Sequence, residues 1–284
     1  MTILTATAVL PVAATAAGLH DAASLRARYA ELTPQLQTNQ FKRPLVLNST
    51  EAPDSLKGDI YAVLDYPFAT VSAAFNGPGN WCDMLILHLN TKYCHAVKEN
   101  GGDRLLVSVG KKVDEPLDEA YRVNFNFATK AATSDYLDVV LNAPDGPMGT
   151  SNYRILLEAV ALPDGRSFMH LTYSYSYGMA ARIAMKAYLA TIGSDKVGFT
   201  RTGGADGHYL GGVRGVVERN TMRYYLAIDA YLSAAKAPAS DQLQRRLENW
   251  FDATERYPKQ LHEVERQAYI DMKHNEYQRQ QSAR

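Results

Sequence analysis

Side chains able to do acid–base chemistry gather around the run Ser167–Tyr177. His170, Tyr173 and Tyr175 stand there, with carboxylates at Glu158 and Asp138 on earlier runs. An imidazole beside a carboxylate and phenols can move protons; the alternative is a histidine that only braces a strand. A second group is Cys82, His88, Cys94 and His95, whose thiols and imidazoles are donor types that zinc takes. Their spacing fits no usual finger or ribbon, so a Cys82–Cys94 disulfide is expected ahead of a metal. In an oxidising compartment it would tie a helix to the next strand. Closing so short a loop contributes about 3 kcal/mol in the chain-entropy model. Two buried free thiols in a cytosolic protein are the alternative. The chain has no nucleophile elbow, no His-Glu-x-x-His and no phosphate loop. Gly203-Gly204-Ala205-Asp206-Gly207 precedes no Lys-Ser/Thr and reads as a turn.

Charged residues on otherwise apolar elements form a third group. Arg122 and Arg154 fall on strand runs; Glu218, Arg219 and Arg223 fall on a long helical run. A buried arginine is costly unless paired, so one inside needs a carboxylate or an anionic ligand head, which it can grip bidentately. The alternative places these charges in solvent, with Arg214 and Glu218 as an i,i+4 pair.

The apolar strand faces offer a cavity wall. Val123, Phe125, Phe127, Ile155, Leu157, Tyr173 and Tyr175 can meet Val217, Tyr224 and Ile228 of the long helix. Ligand pockets are mostly apolar with a few polar anchors. The same residues can instead fill a solid core, and volume decides between the two.

Composition narrows the classes. The chain has 284 residues, 46% of them hydrophobic, enough for a sizeable core. Lys+Arg and Asp+Glu are both 30, so no overall positive charge exists to neutralise phosphates and a nucleic-acid partner is not expected. Tyrosine is frequent, 18 against 8 phenylalanines, which suits half-buried strand positions or a partly wet cavity. Met1–Gly18 is uncharged and rich in Ala, Thr and Val. It reads as a secretory signal with small residues at Ala14-Thr15-Ala16 but without a basic start; a disordered tail is the alternative. No later run approaches the roughly 18 apolar residues of a membrane span.

The elements that must position these groups follow from periodicity. Ser24–Gln37 is a helix capped by Ser24, and Phe41–Asp54 is a connector with Pro44 and Pro53. Gly58–Tyr66 alternates as a strand, followed by short helices at Phe68–Phe75 and Asn80–His88. Strands follow at Tyr93–Lys98, Arg104–Val109, Tyr121–Ala128, Tyr136–Leu141, Tyr153–Leu162 and Ser167–Tyr177. They are joined by turns such as Asn100-Gly101-Gly102 and Pro163-Asp164-Gly165, so the sheet is an antiparallel meander. Met179–Thr191 is helical, Gly193–Gly212 is a loop or small hairpin, and Val213–Ala235 is a long helix. The tail has helices at Asp241–Thr254 and Pro258–Gln280. The last is so polar that it belongs on the surface or beyond the body.

This order resembles the START-like, or SRPBCC, superfamily with its helix-grip fold. The residues that carry the resemblance are the strand Gly58-Asp59-Ile60-Tyr61-Ala62-Val63-Leu64-Asp65, the turn Tyr66-Pro67-Phe68 and Trp81-Cys82-Asp83-Met84. The strand series to Tyr177 and a closing helix complete it. The match spans about Leu56–Leu232 and lies in topology more than in motifs. Val213–Tyr225 also looks like a group of proteobacterial proteins of this type, a likeness that brings no activity with it. The insert Gly193–Gly212 and the helical tail depart from the pattern and can reshape a pocket mouth. The resemblance implies a pocket: members bind lipids, sterols, polyketides or plant hormones between sheet and helix, and some catalyse cyclisation or hydrolysis there.

The expected fold is therefore α+β helix-grip: a curved antiparallel sheet wrapped around a long C-terminal helix, with an N-terminal helix and a helical extension. The expected division is a signal segment at 1–20, a helix and connector at 21–55, the helix-grip domain at 56–236 and a tail at 237–284. The expected role is binding or transport of a hydrophobic small molecule or lipid, without catalysis, metal or cofactor. Peripheral membrane contact during ligand exchange and a periplasmic or secreted location go with it; the location is cytoplasmic if the first segment is no signal. A cyclase- or hydrolase-type enzyme in the same cavity, or a protein-interaction module in the tail, are the alternatives.

Overall fold

A computed structural model describes residues 20–99, 101–191, 195–203 and 207–282. The expected signal segment Met1–Gly18, Asn100 of its turn and the middle of the Gly203–Gly207 run lie outside the described residues. The first helix, α1 (Ala22–Gln37), begins two residues before Ser24. Its cap is Asp21, whose carboxylate accepts the Ser24 N–H at 2.7 Å. The stretch expected as a connector contains a strand, β1 (Leu45–Glu51), paired along its length with β2 (Ser55–Leu64). Pro44 and Pro53 flank β1 rather than interrupt it, and β1 forms the sheet edge, where a proline costs no ladder bond.

Two short helices, α2 (Phe68–Phe75) and α3 (Pro78–Leu85), precede the meander. Its strands are β3 (Thr91–Glu99), β4 (Gly102–Val109), β5 (Tyr121–Ala132), β6 (Tyr136–Asp145), β7 (Thr150–Ala161) and β8 (Ser167–Tyr177). With β1 and β2 they form one antiparallel sheet in the order β1-β2-β8-β7-β6-β5-β4-β3. Strand residues alternate between faces. Tyr173, Tyr175 and Tyr177 of β8 therefore share one face with Val123 and Phe125 of β5, while Phe168 and His170 point to the other. On that outer face α1 buries Leu25, Leu32 and Leu36 against Val63, Val160 and Phe168.

The inner face takes helices. After α4 (Met179–Ala190), the insert forms a small hairpin, β9 (Arg201–Thr202) with β10 (His208–Tyr209). The long helix α5 (Gly212–Ser233) then crosses β1, β2 and β8. Gly58 sits at the crossing: a Cβ there would lie 2.2 Å from Thr221 Oγ1, so only glycine lets the helix come so close. The architecture is α+β helix-grip, a large antiparallel sheet closed by a C-terminal helix. A disulfide joins Cys82 of α3 to Cys94 of β3, Cα atoms 5.1 Å apart. The cysteines are thus not available as zinc ligands.

The tail differs most from expectation. It has α6 (Ala239–Glu255) on α5, a single turn α7 (Pro258–Leu261), and α8 (Arg266–Ser282) against β3. The run expected as one helix breaks at His262, whose backbone is extended. Polar α8 is not a surface helix, for it buries Tyr269, Ile270, Met272, Lys273, Glu276 and Gln280. Glu276 accepts from Lys92 at 2.9 Å and from Lys273 at 2.7 Å, with all three side chains fully buried. Lys273 also donates to the carbonyls of His88 and Thr91, and Lys92 to that of Val113. Polarity here marks an internal ion cluster whose groups partner one another.

Removing one member of such a cluster leaves buried charge uncompensated, at a cost of roughly 3–5 kcal/mol. Glu276→Gln is expected to lose about that much stability in denaturant unfolding. A loss under about 1 kcal/mol would mean that the cluster is solvated.

Candidate functional site

Between the inner sheet face and helices α4 and α5 lies a cavity of about 410 Å³. Val107, Val109, Val123, Phe125 and Leu56 form its apolar wall, with Leu85 from α3. Five tyrosines join them: Tyr153, Tyr173, Tyr175, Tyr177 and Tyr224. Tyr153 stacks on Tyr175 at 5.2 Å between centroids, and Tyr173 meets Tyr224 at 5.1 Å. Burial raises the pKa of Tyr173, Tyr175 and Tyr224. Their hydroxyls stay protonated and act as hydrogen-bond groups, not as bases.

From α5 the wall takes Val213, Val216, Arg219, Asn220, Arg223 and Tyr224, a stripe at spacings of three and four. The stripe beside it, Val217, Thr221 and Ile228, is buried in the core. Of the expected wall residues, Val123, Phe125, Tyr173, Tyr175 and Tyr224 line the cavity. Phe127, Ile155, Leu157, Val217 and Ile228 do not; they fill the solid core. The reason is coverage. Helix α2 closes the sheet over β6 and β7, and Phe127 packs edge-on against Trp81 at 6.4 Å.

The expected anchors separate in the same way. Arg122 is exposed and Arg154 half-buried; neither lines the cavity. Glu218 is buried but turned to the insert. It accepts from Ser49 Oγ at 2.6 Å, from Phe199 N–H at 2.6 Å, and from the Thr200 N–H and hydroxyl. Arg214 reaches the same Ser49, so Arg214 and Glu218 meet through that hydroxyl rather than as a solvent pair. Arg219 and Arg223 are buried and line the cavity.

Arg223 does so beside a carboxylate that no sequence pattern marks. Glu263, at the break between α7 and α8, binds Arg223 at 2.8 Å, Lys112 at 2.6 Å and Lys196 at 3.0 Å. Burial would raise the Glu263 pKa, but Arg223 and Lys112 outweigh it and hold the carboxyl down at about 2. Burial, with Arg223 nearby, pushes Lys112 down to about 8. His88 stacks on Tyr224 at 4.8 Å, and its Nδ1 accepts the Asn90 N–H at 3.2 Å. Burial and the cations Arg223 and Lys273 keep this imidazole neutral, so its proton sits on Nε2. Lys112 and His88 lie outside regular elements, where periodicity carries no information. Tyr177 shares the alternation of Tyr173 and Tyr175 and was within reach of it.

His170 is on the opposite face of the sheet from the cavity. It bridges Asp59 at 2.9 Å and Glu158 at 3.1 Å, while the Tyr136 hydroxyl donates to Glu158 at 2.7 Å. His170 stacks flat on Tyr61 at 4.2 Å. This network joins strands β2, β6, β7 and β8.

No family model matches the sequence, and no curated protein matches it. Solved structures do. A protein from Arthrobacter aurescens is similar at 15% identity and TM-score 0.35, over 68% of this chain and 92% of its own. Human StAR-related lipid transfer protein 5 is similar at 9% and 0.33, over 59% and 88%. A truncated norcoclaurine synthase from Thalictrum flavum is similar at 10% and 0.34, over 51% and 91%. At these identities and TM-scores they assign no activity to this chain.

Burial alone would lower the His170 pKa, but hydrogen bonds and charge from Asp59 and Glu158 raise it above its ordinary value. Its contribution to stability is then complete below about pH 6.5 and is lost as pH rises through the folded value. The pKa values of Asp59 and Glu158 are lowered, so theirs is present above about pH 4.3 and lost as pH falls through their folded values. The network is strongest between those limits. Unfolding midpoints of the wild type should fall from pH 6 to pH 9 more than those of His170→Gln. Parallel profiles would contradict the assignment.

Proposed function

We propose that the chain binds a hydrophobic small molecule or a lipid between sheet and helix and carries it without turning it over. The observation that supports this reading most is the cavity itself. At about 410 Å³ it falls within the range of roughly 300–1,000 Å³ usual for small-molecule sites. Its wall is chiefly aliphatic and aromatic, which favours an apolar occupant. Non-catalytic carriage fits the phenols that stay protonated, and the His170–carboxylate network lies on the far face of the sheet.

Ligand exchange at a membrane surface is part of the reading. Met148 and, on α4, Met179 and Ile183 are exposed large apolar side chains, and Met148 with Ala181 and Met185 of α4 lines the cavity. Exposed apolar clusters favour contact with partners or lipid. Among the described residues no helix is long and apolar enough to cross a membrane. The Cys82–Cys94 disulfide supports an oxidising location, periplasmic or extracellular. The tail helices bury their apolar residues within the chain, which weighs against a tail devoted to docking a partner.

A neutral apolar fluorophore titrated into the protein tests the cavity. Saturable binding is expected, weakened at least tenfold by Val216→Trp, which fills the space from α5, with the circular dichroism spectrum unchanged. Equal binding by the variant would remove the cavity as the site. Ile183→Asp with Met179→Asp should reduce co-sedimentation with phosphatidylcholine vesicles while leaving fluorophore binding intact. Unchanged co-sedimentation would exclude this rim as the contact.

A further inference from the structure

Four of the cavity's tyrosines form one cluster: Tyr153 of β7, Tyr173 and Tyr175 of β8, and Tyr224 of α5. Ring centroids lie 6.2 Å apart for Tyr153 and Tyr173, and 5.7 Å apart for Tyr173 and Tyr175. The hydroxyl protons in this cluster have a direction. Thr150 gives its single hydroxyl proton to the Pro147 carbonyl. The 2.9 Å contact between Thr150 Oγ1 and the Tyr153 hydroxyl is therefore donated by Tyr153. The Tyr153 oxygen is left as an acceptor, and the Tyr173 hydroxyl stands beside it as donor. The Tyr173 oxygen ends this chain with lone pairs still able to accept.

Tyr175 and Tyr224 are placed differently. Tyr175 is buried and Tyr224 half-buried, and both line the cavity. Neither hydroxyl bonds to another group among the described residues, and neither oxygen is sealed off by protein atoms, so both open into the space they line. The neighbours that act on them electrostatically are other phenols, with no charged side chain among them. A phenol proton withdrawn from bulk water needs an acceptor. The cluster thus offers two unused donors beside one unused acceptor, and no charge.

We propose that this cluster recognises a neutral hydroxyl group on an otherwise apolar ligand, which accepts from Tyr175 or Tyr224 and donates to Tyr173. This rests on the reading of the cavity as an apolar-ligand site. A hydroxyl is the group that fills both roles at one atom. An ether or a ketone supplies only the acceptor, and a hydrocarbon supplies neither. Leu56, Val107, Val123 and Phe125 on the rest of the wall take the apolar frame. Tyr173 and Tyr175 share one sheet face and Tyr224 comes from the helix, so the site is assembled from both layers.

The test is fluorescence titration of the full chain at pH 7 with 2-naphthol, 2-methoxynaphthalene and naphthalene, which share one ring frame and are neutral. A site built to hydrogen-bond a hydroxyl rejects analogues that lack it, so 2-naphthol is expected to bind about tenfold more tightly than its methyl ether, or better. The double variant Tyr175→Phe with Tyr224→Phe should bring that ratio down to within about twofold of one, because both donors are gone. Naphthalene affinity, measured on the same variant, separates loss of the hydroxyl site from a general loosening of the cavity. In the wild type, 2-naphthol that binds no more tightly than the ether would overturn the hydroxyl site whether or not the variant folds, and leave the cavity reading standing. A double variant that binds naphthalene and keeps the full preference would do the same. Failure of all three probes to bind would overturn both readings.

Discussion

The structure depends on charge carried into the interior by one helix. Glu218, Arg219 and Arg223 are all buried on α5, and an ionised group away from water must be paired or hydrogen-bonded. The departures from a plain sheet-and-helix body meet that demand. The insert brings Phe199 and Thr200 to Glu218, and Val197 contributes a carbonyl to Arg219. The tail bends at His262 so that Glu263 reaches Arg223, and Trp250 of α6 donates to the Arg223 carbonyl. Close contact supports the insert: a Cβ on Gly198 would lie 2.3 Å from Glu218 Oε2, and one on Gly215 of α5 would lie 2.9 Å from the Leu210 carbonyl oxygen.

The same constraint shapes the cavity. At Gly58 the sheet lies directly under Thr221, and the helix packs without a gap. Around Asn220 and Tyr224 the helix presents polar and bulky side chains instead, and an apolar core cannot close over Arg219 and Arg223. The space that remains has tyrosines on one part of its wall and cations on another.

Much of this was legible from periodicity. Ser167–Tyr177 and Phe68–Phe75 coincide with β8 and α2, because clean alternation and a proline at the helix start leave little choice. Tyr173, Tyr175, Val123 and Phe125 could be placed on one face by counting in twos. Counting does not say which inner-face residues meet α2 and which meet open space, so in the sequence Phe127, Ile155 and Leu157 look the same as the residues of the wall. On α5 the apolar residues of two adjacent stripes look alike, and the one that faces the cavity is half polar. The strand β1 was hidden by its short apolar run, Leu45-Val46-Leu47, between prolines. The break at His262 and the burial of α8 answer to ion pairs across more than a hundred residues, which no local pattern records.

The central claim is that sheet and helix leave an open, largely apolar space under α5. Crystals of the purified protein pressurised with xenon test it most directly, because xenon occupies apolar cavities and leaves packed cores empty. The account predicts xenon or a co-purified ligand in density bounded by Val123, Phe125, Tyr173 and Tyr224. Side chains filling that region, with no density between them, would contradict it.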